Sequence, residues 1–111
     1  MVTSEEPLLQ QMVETIVREV SPEAIILFGS RARGDARPDS DVDLLVVETE
    51  PFSPQRSRRK EAARLYIALR GQAISKDILL YSRDKFERWK NSLNHVVGRA
   101  HRKGRLLHGG L

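Results

Sequence analysis

Residues 29–47 read Gly29-Ser30-Arg31-Ala32-Arg33-Gly34-Asp35-Ala36-Arg37-Pro38-Asp39-Ser40-Asp41-Val42-Asp43-Leu44-Leu45-Val46-Val47. The run Ala24 to Phe28 before them is short, continuously apolar and bounded by turn signals, which predicts a buried strand. Gly29-Ser30 then opens a short turn of helix. Backbone N–H groups at such a junction favour an anion, glycine lets a phosphate come close, and a serine hydroxyl donates to it. Arg31 and Arg33 follow at once, and either suits a polyphosphate. Gly34 to Ser40 is a polar loop, and Asp41 to Glu48 is a second strand. Its alternation places Asp41, Asp43, Leu45 and Val47 on one face, and Val42, Leu44 and Val46 on the other.

Two carboxylates sharing a face of an apolar strand repel each other and are costly to bury without a compensating cation. Magnesium takes oxygen ligands, usually one or two carboxylates with substrate phosphates and water. A pair of such ions stabilises the attacking and leaving oxygens of an in-line displacement. An isolated Asp-x-Asp is commonly just a polar loop meeting a strand, and an isolated Gly-Ser turn is equally ordinary. Ten residues apart, the two motifs point to one site. A third acid, Asp77, lies in the apolar stretch Ile74 to Leu80. There it could complete the ligation of one metal and accept the proton of an attacking hydroxyl. The alternative is an ion pair with Lys76 or an exposed edge-strand position. If the end of strand one and the start of strand two both touch one triphosphate, those strands run antiparallel, so the sheet should be mixed.

Further from this stretch, Leu8, Leu9, Met12, Val13, Ile16, Val17 and Val20 recur at helical spacing. Thr3 or Ser4 can cap that helix, with Glu6 in capping-box position to Thr3. Ser53 with Pro54 predicts the start of a second long helix, which carries Ala62, Leu65, Tyr66 and Leu69 on one face and stops at Gly71. Ala73 to Tyr81 is a third strand. Ser82 caps a short helix containing Phe86 and Trp89. A last helix runs from about Ser92 to Lys103, followed by a short candidate strand, Arg105 to His108. The expected order is α-β-α-β-α-β-α, a mixed α/β fold with helices packed on a small sheet.

The 111 residues suit one domain, 1–111, and the 40% apolar content suffices for a modest core. No cysteine is present, which excludes disulfides, zinc-thiolate sites and thiol nucleophiles. No apolar run reaches the ~18 residues of a membrane span, and the acidic start lacks a signal-peptide layout, so a cytoplasmic protein is expected. Residues 1–50 carry four arginines against eleven acids, a net of −7, while residues 51–111 carry fifteen Lys or Arg against four acids, a net of +11. This asymmetry suits a polyanionic ligand or an acidic partner, or simply solvated helix faces. The same holds for the tract Arg56, Arg58, Arg59, Lys60 and Arg64. No aromatics interleave with the basic clusters, so a nucleic-acid partner is not favoured. His95, His101 and His108 show no metal-ligand spacing.

The stretch from Gly29-Ser30 through Asp41-Val42-Asp43 resembles the Gly-Ser, ten residues, Asp-x-Asp signature of polymerase-beta-type nucleotidyltransferases. In size and order the chain is similar to the minimal nucleotidyltransferase (MNT) proteins, the antitoxins paired with HEPN-domain RNase toxins. The resemblance implies that Gly29, Ser30 and Arg33 bind the nucleotide, that Asp41 and Asp43 hold two Mg2+ ions, and that Asp77 holds one ion and the incoming nucleophile. All three carboxylates would then be catalytic, with ATP as substrate. It further implies transfer of AMP to a tyrosine of a HEPN-type toxin, with which the antitoxin assembles. The rival readings are an antitoxin acting by binding alone, a nucleotidyltransferase acting on RNA or a small molecule, and a nucleic-acid-binding module driven by the basic half.

Overall fold

The computed structural model describes residues 6–110, and the helix-capping roles given to Thr3 and Ser4 lie outside them. In chain order the elements are α1 (Glu6–Val20), β1 (Ala24–Phe28), α2 (Ser30–Arg33), β2 (Val42–Glu48), α3 (Arg58–Ala68), β3 (Lys76–Ser82), α4 (Arg83–Trp89), α5 (Val96–Lys103) and β4 (Arg105–Gly109). The four strands form one sheet in the order β3-β2-β1-β4. β1 runs antiparallel to β2 and β4, whereas β2 and β3 are parallel and joined through α3. The sheet is mixed and β1 and β2 are antiparallel, as expected.

Alternation along the strands divides the core into two layers. Ile25, Leu27, Leu44, Val46, Ile78 and Leu80 pack with Leu9, Met12 and Ile16 of α1, Leu65 of α3 and Leu69 just beyond it. Ala24, Ile26, Leu45 and Val47 pack on the opposite face with Phe86 of α4 and with Val97 and Ala100 of α5. Asp43 and Asp77 share the face of Leu45 and Leu79, so they look towards the α4 and α5 side.

Several boundaries differ from the sequence reading. α3 starts after Ser57, whose side chain accepts from Lys60 N, while Ser53 and Arg56 close a separate turn. Ser82 precedes α4 without a side-chain capping bond. α5 begins at Val96, capped by the His95 ring nitrogen accepting from Val97 N at 3.1 Å. The reason lies at Gly98, where an added Cβ would fall 1.8 Å from Ser92 O. The chain from Ser92 to His95 therefore passes against the first turn of α5 instead of continuing it. β4 forms a full ladder on β1, with one irregularity between Ile25 and Ile26.

The basic tract is largely consumed internally. Arg56 pairs with Glu48 and Glu61, Arg64 with Glu19 and Glu61, and the Arg58 guanidinium lies over the Tyr81 ring. Glu48 is 3% exposed, with Oε2 lacking a hydrogen-bond partner. Burial, reinforced by Glu61, pushes its carboxyl up to about 7 despite Arg56. A carboxyl raised on folding favours the protonated native state, so its stabilising effect is complete below about 4.5 and fades as pH rises through about 7. The melting temperature of the wild type should fall over that window. Glu48→Gln should flatten the fall, and an unchanged pH profile in that variant would contradict the assignment.

Candidate active site

Gly29 ends β1 with φ 76° and ψ −157°, in the region where side chains are disfavoured, and it starts α2. A Cβ built there would lie 2.3 Å from Asp43 Oδ2. The missing side chain is what lets the Asp43 carboxylate stand against this turn. Antiparallel pairing makes Phe28 the partner of Asp43, so the junction and the acid are fixed by the same ladder. The first helical bonds run from Ala32 N and Arg33 N to Gly29 O, and Ser30 heads the helix.

On its other side Asp43 is the register partner of Asp77 across the parallel β2–β3 pair. Asp41 lies one residue before β2, exposed beside this pair. Three carboxylates thus gather at one end of the sheet. Asp43 is half-buried, and its pKa is raised by burial, then by the negative charges of Asp77 and Asp41, with the Arg33 guanidinium pulling the other way. Such mutual repulsion at a partly desolvated acid favours a cation between the carboxylates. Among the described residues no three acidic or histidine side chains close into a ready metal cage. Magnesium does not need one, since phosphates and water normally complete its octahedron. The donor set is therefore a fit for such an ion arriving with a phosphate ligand.

Arg31 reaches the loop that leads to Asp41. It donates from Nε and Nη2 to Ser40 O at 3.1 and 2.6 Å, and from Nη2 to Pro38 O at 3.4 Å. It braces the 34–40 loop and so sets the approach to Asp41. Arg33 is exposed, bonded to Asp35 at 3.3 Å, and close enough to Asp43 to act on its charge. Asp77 is exposed on the edge strand β3. Its position in an apolar stretch reflects the strand's alternation and not a buried charge, and no ion pair with Lys76 forms, since Lys76 donates to Gln72 O.

Two features were missed in the sequence. Tyr66, placed there only on the apolar face of the second long helix, is 38% exposed; its hydroxyl accepts from Ile78 N at 2.8 Å and lies 3.5 Å from Asp77 Oδ1. It holds the open edge of β3 beside the acid. The second is a cavity of about 260 Å3 flanking Gly29, lined by Arg33 of α2 and by Arg99 and Lys103 of α5. Trp89 stacks on the His95 ring at 4.5 Å and 9°, which ties the indole to the α5 cap.

Comparison with known proteins identifies the family and the fold. The profile of the nucleotidyltransferase domain family matches residues 9–99. A solved structure described as a candidate minimal nucleotidyltransferase is 28% identical, with a TM-score of 0.60, over 93% of this chain and 95% of that one. A nucleotidyltransferase candidate from Sulfolobus solfataricus is 23% identical, with a TM-score of 0.58, over 93% of this chain and 78% of that one. A toxin–antitoxin crystal structure with AMP-PNP is 22% identical, with a TM-score of 0.56, over 91% of this chain and 73% of that one. Among curated proteins no match is found. With its family profile spanning most of the chain, and with the Gly-Ser turn packed on the second aspartate of Asp-x-Asp, this protein belongs to the nucleotidyltransferase domain family.

Proposed function

We propose that the chain is a magnesium-dependent nucleotidyltransferase that moves AMP from ATP to a hydroxyl of a partner protein, acting as the antitoxin of a toxin–antitoxin pair. The observation that carries the chemistry is the contact of Gly29 with Asp43, itself paired in register with Asp77. Gly29 and Ser30 would take the phosphates and Arg33 would offset their charge. Asp41, Asp43 and Asp77 would hold the metal. When bound, Mg2+ supplies charge neutralisation at the phosphates and a template for in-line displacement. Asp77, exposed at the sheet edge, would accept the proton of the acceptor hydroxyl. That oxygen bonds to the α-phosphorus as the bridging oxygen to the β-phosphorus departs with pyrophosphate.

The protein-acceptor reading is supported by the similarity to a toxin–antitoxin structure holding AMP-PNP. Beyond the nucleotide cluster, the described residues offer little to select an acceptor. A tyrosine of a HEPN-type RNase is the acceptor we favour. The internal pairing of Arg56 and Arg64 weakens the nucleic-acid reading, because those cations are already engaged. Incubation with ATP labelled at the α-phosphate, Mg2+ and the cognate partner should label the partner protein. Label on RNA instead would favour an RNA nucleotidyltransferase. Full neutralisation with no label transferred would sink the enzymatic reading.

A further inference from the structure

α5 turns one face towards the Gly29 junction. Val96, Arg99, Ala100 and Lys103 are spaced i, i+3, i+4 and i+7, and all four line the cavity opposite Phe28, Gly29 and Arg33. Three cations from two helices therefore converge on one hollow, and among the described residues no carboxylate lines it. Arg33 links the two halves of the site, lying beside this cavity while its charge acts on Asp43. Acids thus stand on one side of Gly29 and bases on the other.

The cavity, at about 260 Å3, is smaller than the ~300–1,000 Å3 that encloses a drug-sized ligand, so it suits a fragment of a nucleotide. Three guanidinium or ammonium groups favour an anion over an uncharged base. Resting on the nucleotidyltransferase reading, we infer that Arg99 and Lys103 form a subsite for the terminal phosphates of the triphosphate and for the pyrophosphate that leaves. The two residues would hold the leaving group away from the acids that activate the α-phosphate. This subsite would make the protein prefer a triphosphate to shorter nucleotides.

Arg99 also donates to Asn94 O at 3.0 Å, so its removal disturbs the loop before α5. Lys103 is the cleaner position, at the last turn of the helix and exposed. The test is calorimetric titration of wild type, Lys103→Arg, Lys103→Ala and Lys103→Glu with a non-hydrolysable ATP analogue and, separately, with pyrophosphate. Lys103→Ala should weaken both by about tenfold, Lys103→Glu by more, and Lys103→Arg should stay near wild type. Matching melting curves would confirm that α5 remains folded. Wild-type affinity in Lys103→Glu, or pyrophosphate failing to bind a wild type that binds the ATP analogue, would overturn the subsite alone. A wild type that binds neither probe would overturn the nucleotidyltransferase reading with it.

Discussion

Asp43→Asn should lower nucleotidyl transfer by about a thousandfold or more while leaving the fold intact or slightly more stable. The loss follows from removing the central carboxylate, and each ~1.36 kcal/mol of lost transition-state stabilisation is a factor of ten. The stability effect has the opposite sign. Burial and the charges of Asp77 and Asp41 raise the folded pKa of Asp43, so the folded state prefers that group neutral. Its stabilising protonated form is complete below 3.8 and is lost as pH rises through the raised value. Near pH 8 an amide should relieve repulsion that the wild type carries. Parallel melting and transfer assays would show activity falling as melting temperature holds or rises. Such a division is expected where a strained charge arrangement serves chemistry. A variant that is both inactive and markedly less stable would indicate a structural role instead.

Gly29→Ala should fail in a different manner. The positive φ alone disfavours alanine, and the new Cβ would meet Asp43 Oδ2 at 2.3 Å. The combined cost should be about 2–3 kcal/mol, with transfer lost because the carboxylate is displaced. The double variant Gly29→Ala/Asp43→Ala removes the clash and keeps the φ penalty. It should therefore recover part of the stability, a coupling that a double-mutant cycle measures directly. Strictly additive effects in that cycle would mean the two residues do not touch.

What the sequence disclosed, it disclosed where local and long-range demands agree. Ala24 to Phe28 is apolar throughout because both its faces are covered, and the Gly29 and Asp43 pairing follows from one antiparallel register. The direction of β1 against β2 was legible from the expectation that two motifs serve one ligand. Helix starts were not. Ser53 and Ser57 each accept from the backbone N–H three residues on, Arg56 N and Lys60 N, and only after Ser57 does the chain continue as a helix. The start of α5 depends on Ser92 O meeting Gly98, a contact with no signature in the local pattern. Arg99 and Lys103 were hidden in a half of the chain carrying fifteen basic residues. Only the placement of α5 beside Gly29 separates them from Arg56 and Arg64, which are used in ion pairs.

The central claim is that the carboxylates around Gly29 bind a nucleoside triphosphate through a divalent cation. Titrating the wild type and Asp43→Asn with a non-hydrolysable ATP analogue, each with and without Mg2+, tests it without knowledge of the acceptor. The wild type should bind about a hundredfold more tightly with the metal, and Asp43→Asn should lose most of that gain while keeping its metal-free affinity. Equal affinity with and without Mg2+ in the wild type, or a full metal effect retained in Asp43→Asn, would contradict the account.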